Sequence, residues 1–232
     1  MDYSNRPDII KILASMKEQG NNVSGFYYQG TISIDGWFRD STAEIFVAGT
    51  KEPFTFKIEI SHSWGKPILY FLVKEDDLKI IDFNDRAEYV GEFTPGNLSK
   101  FIPNMEYSPN LLWALLRGYP PLWPYTRIYE KRPGAISLEG RDEKILGTIH
   151  YSPGESIIES ISFHPDSLNI KFNDFQKAGD VYYAGETVLK DIKGGRDLTL
   201  IRKKIFFNRD IPDGIFTLKK PSSFKTINIE EM

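Results

Sequence analysis

From Phe54 to Ser61, apolar and polar residues alternate without a break. Phe54, Phe56, Ile58 and Ile60 fall on one side, and Thr55, Lys57, Glu59 and Ser61 on the other. Strand side chains change face at every residue, so this pattern predicts a strand with one apolar face. From Ile68 to Val73 every position is apolar, which predicts a strand covered on both sides. The two arms are joined by His62-Ser63-Trp64-Gly65-Lys66-Pro67, a turn whose large apolar residue is Trp64. Burying a side chain of that size is worth about 1.5–3 kcal/mol, so an indole on a loop tip is an unusual choice.

The rest of the chain begins with a helical period and then changes to two. Ile9, Ile12, Leu13 and Met16 stand at i, i+3, i+4 and i+7, so residues 8–19 form an amphipathic helix. Pro7 suits its first turn and Gly20-Asn21 its end. In the next strand Phe26, Tyr28, Ile32 and Ile34 share a face, and Asp35-Gly36 marks a hairpin turn. Further strands at about 41–48, 78–83 and 87–93 have short connections, so sequence neighbours pair antiparallel.

The β pattern breaks at Thr94-Pro95-Gly96-Asn97, which opens a weak helix to Phe101, ended by Pro103. Ser108-Pro109 is then an N-cap and first-turn pair, and Leu111 to Leu116 is apolar throughout before Gly118. A helix with so little polar face must be surrounded by protein, as a plug or a lid over a sheet. The stiff, aromatic run Tyr119-Pro120-Pro121-Leu122-Trp123-Pro124 is suited to sealing a rim. Strands resume at about 135–139, 144–151, 156–163, 168–175, 181–192 and 198–207, separated by turns such as Lys193-Gly194-Gly195. A short closing segment, Ile215 to Leu218, ends the pattern. About eleven strands at this spacing predict a mainly β, antiparallel sandwich or barrel, one domain over residues 1–232.

Composition acts chiefly by exclusion. With 41% hydrophobic and 14% aromatic residues the chain can bury a large core. Net charge is −3, and the one basic cluster, Arg202-Lys203-Lys204, lies in a strand pattern that splits it between faces. Nucleic acid is therefore not an expected partner. There is no cysteine, hence no disulfide and no thiolate metal site. No run approaches the roughly 20 apolar residues of a membrane span, and Met1 to Asn5 lacks the features of a secretory signal. A cytosolic protein and a trimmed mature form both fit.

Catalytic chemistry is equally sparse. His62, His150 and His164 lie in different segments without metal-ligand spacing. No nucleophile elbow or phosphate-cradling loop occurs, and Glu75-Asp76-Asp77 and Asp82-Phe83-Asn84-Asp85 lack the glycine and distal glutamate of a calcium loop. Neither a metal nor a cofactor is expected, and an enzyme is the weaker hypothesis. What remains is an apolar sheet face, an apolar helix to cover it and an indole on a hairpin. A filled β core with a plug helix is one reading. The other is an apolar lining, with Phe26, Tyr28, Phe54, Phe56, Leu112, Trp113 and Leu116, that accommodates an elongated apolar ligand.

Taken in order, these features resemble the bacterial lipoprotein-localisation family, the LolA/LolB-like proteins, and LolB more than LolA. The likeness runs from a helix before a Gln29-Gly30 strand to the loop Ser63-Trp64-Gly65. It resumes at Leu112-Trp113-Ala114-Leu115-Leu116-Arg117-Gly118-Tyr119-Pro120. Ile211-Pro212-Asp213-Gly214-Ile215-Phe216-Thr217-Leu218-Lys219-Lys220-Pro221 is similar to the closing segment on the LolA side. The resemblance implies an unclosed β-barrel, lidded by helices, whose concave face holds acyl chains of lipoproteins. Phe26, Tyr28, Ile32, Ile34, Phe54, Phe56, Ile58 and Ile60 would line that face, and Leu112, Trp113, Leu115 and Leu116 would form the lid. Trp64 and Gly65 would occupy the loop that delivers lipoproteins to the outer membrane, where the family usually carries leucine.

The resemblance also implies a periplasmic, non-enzymatic protein whose partners are acylated lipoproteins or other lipids, a LolA-like carrier and the outer-membrane surface. LolB-like proteins are anchored through a lipidated N-terminal cysteine, which these 232 residues do not contain. A sensor or interaction module of the same fold, and a carrier of another lipid, are the alternatives.

Overall fold

The computed structural model describes residues 6–34, 42–101, 109–153, 157–163, 168–191 and 197–232. Asp35-Gly36, Pro103, Ser108, His164 and Gly194-Gly195 lie outside them. The fold is mainly β. The first six strands are β1 (Gly25–Ile34), β2 (Ala43–Thr50), β3 (Thr55–Ser61), β4 (Pro67–Lys74), β5 (Asp77–Asp82) and β6 (Ala87–Glu92). The others are β7 (Arg127–Arg132), β8 (Ala135–Glu139), β9 (Ile145–Ser152), β10 (Ile157–Phe163), β11 (Leu168–Ala178), β12 (Val181–Asp191), β13 (Asp197–Phe207) and β14 (Lys225–Asn228). The helices are α1 (Pro7–Asn21), α2 (Pro95–Ser99) and α3 (Pro109–Arg117).

The strands form one sheet in the order β14-β6-β5-β4-β3-β2-β1-β13-β12-β11-β10-β9-β8-β7, with β14 and β7 as its two ends. Consecutive strands from β1 to β6 pair antiparallel, while β14 pairs parallel with β6. This is the open, mainly antiparallel arrangement that an unclosed barrel requires. Among the described residues fourteen strands stand where about eleven were expected; β7 and β14, which carry no apolar alternation of their own, are two that the pattern did not announce. The closing segment enters through a 3-10 turn, Asp213–Phe216.

The chain divides into two compact units, one of residues 1–22 and 117–201, the other of residues 23–116 and 202–232. In the first, α1 buries Ile9, Ile12, Leu13 and Met16, the stripe that its period predicts. Side-chain ties hold both of its ends. Arg6 pairs with Asp8 and Glu130, and the Tyr151 hydroxyl donates to Glu130 at 3.0 Å. At the other end Gln19 donates to the Asp180 carbonyl at 3.0 Å and accepts from the Tyr182 amide at 2.9 Å. Arg117 is buried and donates to the Gln19 carbonyl, where a cation complements the partial negative charge of a helix C-terminus. Burial pulls its guanidinium down to about 10.

In the second unit the strand registers stack side chains into rows. Phe26 faces Gly49, which faces Phe56, which faces Val73. One step along, Tyr28, Val47, Ile58 and Phe71 form the next row, and Ile45, Ile60 and Leu69 another. We call this the inner face. The intervening residues make the opposite rows, Tyr27-Ala48-Lys57-Leu72 and Gln29-Phe46-Glu59-Tyr70.

Candidate functional site

The inner face is aromatic at its centre. Phe26 and Tyr28 stack with centroids 6.2 Å apart, and Phe56 meets Phe54 and Phe93 edge-on at 5.7 and 5.8 Å. Helix α3 closes the layer through Trp113, whose indole packs edge-to-face on Phe26 at 5.0 Å and lies 6.4 Å from Phe54. Gly49 makes room for it. A Cβ there would stand 3.2 Å from Phe26 Cζ and 3.3 Å from Trp113 Cζ3, tighter than ordinary packing. Every residue from Leu111 to Leu116 is buried, as a helix without a polar face demands.

The predicted residues therefore come together as follows. Phe26, Tyr28, Ile32, Ile34, Phe56, Ile58 and Ile60 are buried in the sheet, while Phe54, just ahead of β3, is half-buried. Leu112, Trp113, Leu115 and Leu116 are all buried in α3. A residue that the apolar pattern did not nominate fixes this helix: Arg202, buried on β13. It donates from Nε to the Leu116 carbonyl at 3.3 Å and from Nη2 to that of Leu115, capping the C-terminal turn. Its guanidinium also faces the Tyr28 ring at 5.4 Å. Burial pushes the Tyr28 hydroxyl up to about 12, a shift that Arg202 opposes.

The opposite face is closed by the chain itself. Ala48, Leu72 and Phe216 form a buried cluster, with Tyr27, Phe46, Ile211, Ile215 and Leu218 packed around it. This cover explains why β4 is apolar from Ile68 to Val73, and why Thr55 and Lys57 are buried although they alternate away from the inner face. Lys57 is paired with Glu59 at 2.7 Å.

Trp64 stands apart from both layers. It is 64% exposed on the β3–β4 turn, stacked on the His62 ring at 4.3 Å with 8° between the planes. The turn is pinned by His62 N–H to the Lys66 carbonyl and Gly65 N–H to the His62 carbonyl, both 2.8 Å. Gly65 has φ +84°, the left-handed conformation that favours glycine. The indole is thus held outward by a defined turn.

The first unit holds a cavity of about 240 Å³, lined in part by Lys11, Ser15, Tyr119, Ile157, Phe175 and Tyr182. The sequence did not single it out, because its lining residues are scattered over α1, the segment after α3 and three strands.

No protein-family model matches the chain, and no curated protein matches it. Solved structures do. A LolA-superfamily protein from Nitrosomonas europaea is similar at TM-score 0.52 and 15% identity, over 90% of this chain and 97% of its own. A putative outer membrane lipoprotein-sorting protein domain from Vibrio parahaemolyticus gives 0.53 at 11% identity, over 89% and 95%. A DUF1329 family protein from Desulfovibrio piger gives 0.51 at 10%, again over 89% and 95%. The chain has the fold of LolA-superfamily proteins.

Proposed function

We propose that this protein is a LolB-like, non-enzymatic binder of acylated lipoproteins in the periplasm, acting as a single LolA/LolB-like domain. It takes an acylated lipoprotein from a LolA-like carrier and releases it at the outer-membrane surface. Acyl chains would occupy the space between α3 and the inner face as the helix yields. Each buried methylene contributes about 0.8 kcal/mol, so such a site can compete with a bilayer for the chain. The fold and its lipoprotein-sorting neighbour support this reading.

The observation that carries the proposal is Trp64, an exposed indole on a hydrogen-bonded turn beside a sheet with an aromatic face. Indoles favour the membrane–water interface. Trp64→Glu leaves stability within about 0.5 kcal/mol of wild type, as expected of an exposed site. It also abolishes co-sedimentation with phosphatidylethanolamine–phosphatidylglycerol vesicles. Binding equal to wild type would remove the role assigned to the turn. Native mass spectrometry of gently purified protein should detect a bound acylated species.

A further inference from the structure

The aromatic layer contains two polar groups that a bare hydrocarbon ligand would leave unused. Tyr28 is 1% exposed and Trp113 is 9% exposed, yet neither the Tyr28 O–H nor the Trp113 Nε1–H has an acceptor. An indole N–H can only donate. The guanidinium over the Tyr28 ring also has donors only, so Arg202 cannot receive the Tyr28 proton. Such groups are uncommon in folded proteins, because burying a donor without an acceptor is unfavourable. Phenylalanine would fill the Tyr28 position without a proton that lacks an acceptor.

Their position gives them a use. Trp113 is on the underside of α3 and Tyr28 on the inner face of β1, with the Phe26 ring against both. A chain lying between helix and sheet would run past the two donors within one apolar layer. The nearby guanidinium adds positive potential, which favours an electron-rich oxygen over a second donor. From this arrangement we infer that the site reads the carbonyl at the root of an ester- or amide-linked acyl chain, with Tyr28 Oη and Trp113 Nε1 donating to it. The inference rests on the acyl-binding reading above and adds its chemical selectivity: acyl chains with a carbonyl are preferred to alkyl chains without one. An ether-linked lipid of equal length has no carbonyl oxygen at that position, so it supplies the same hydrocarbon without the recognised group.

The test titrates the full chain with a diacylglycerol and with the dialkyl ether of the same chain length. The ester lipid is expected to bind at least about tenfold more tightly, the scale of one buried donor gaining its acceptor. Tyr28→Phe keeps the ring and removes the donor, so it should cost roughly tenfold in ester binding and leave ether binding unchanged. Trp113→Phe should behave alike; if that variant does not fold, Tyr28→Phe decides alone. The carbonyl stretch of bound ester should lie at lower frequency in wild type than in Tyr28→Phe. Equal binding of ester and ether, or an ester preference intact in the variants, overturns the inference and leaves the donors to water. If wild type binds neither lipid, acyl binding itself fails and the selectivity falls with it, a result distinct from equal binding.

Discussion

The two faces of the β1–β4 sheet arise from the same strands and the same alternation, yet they are finished differently. The outer rows are covered by the chain's own closing segment around Phe216, and their charges are paired, Lys57 with Glu59 and Lys203 with Glu44 at 3.0 Å. The inner rows are covered by one short helix, touch it through aromatic edges and retain two donors without acceptors. Among the described residues, the outer rows hold no buried side-chain polar atom without a partner, whereas the inner layer, where a ligand is proposed to enter, holds two. Both faces are buried, so burial alone does not distinguish a core from a closed site.

The strongest way to break this division is to truncate each cover in turn. Trp113→Ala should cost about 3–5 kcal/mol in urea unfolding, and Phe216→Ala about 3 kcal/mol, as large-to-small core changes do. Only the first should alter lipid binding. A folded Phe216→Ala protein that no longer binds lipid would erase the distinction between the faces.

Arg202→Met should cost about 2 kcal/mol, since the Leu115 and Leu116 carbonyls lose charge-assisted donors. Limited proteolysis should then cut within residues 109–117 sooner than in wild type. Gly49→Val forces side-chain atoms into the space held by Phe26 and Trp113, and should cost about 1–3 kcal/mol by overpacking.

Tyr28→Phe should leave stability at neutral pH unchanged or slightly raised, because it removes a buried group without a partner. Its larger effect appears in alkali. Burial holds the Tyr28 proton to about 12, against an ordinary value of 10. The stability linked to that proton is complete below pH 10 and lost as pH rises towards 12. Unfolding curves across that window should therefore fall less steeply in Tyr28→Phe.

Much of this organisation was legible in the residue pattern. The stripe of α1, the enclosed α3, the inner row from Phe56 to Ile60 and the exposed Trp64 follow from period and composition. The outer cover was not legible, because Ile211, Ile215 and Phe216 form no strand and meet β1, β2 and β4 only through long-range folding. Arg202 was hidden for a related reason. Within a basic triplet nothing marks the residue that turns inward, and its acceptors are backbone carbonyls 86 and 87 positions away. The edge strands β7 and β14 are charge-rich or short, so no apolar face announces them. The Tyr28 and Trp113 donors are named by the sequence, but their lack of acceptors is a property of three-dimensional packing.

The stack at the β3–β4 tip has a consequence for depth. With an imidazole lying flat against one side, Trp64 offers its other ring surface and its edges to whatever it meets. A plate backed by a polar ring would settle among lipid headgroups and glycerol backbones, where one side stays wet. Contact at that shallow level would let the tip touch and leave a bilayer repeatedly, as the proposed delivery requires, without lodging in the hydrocarbon.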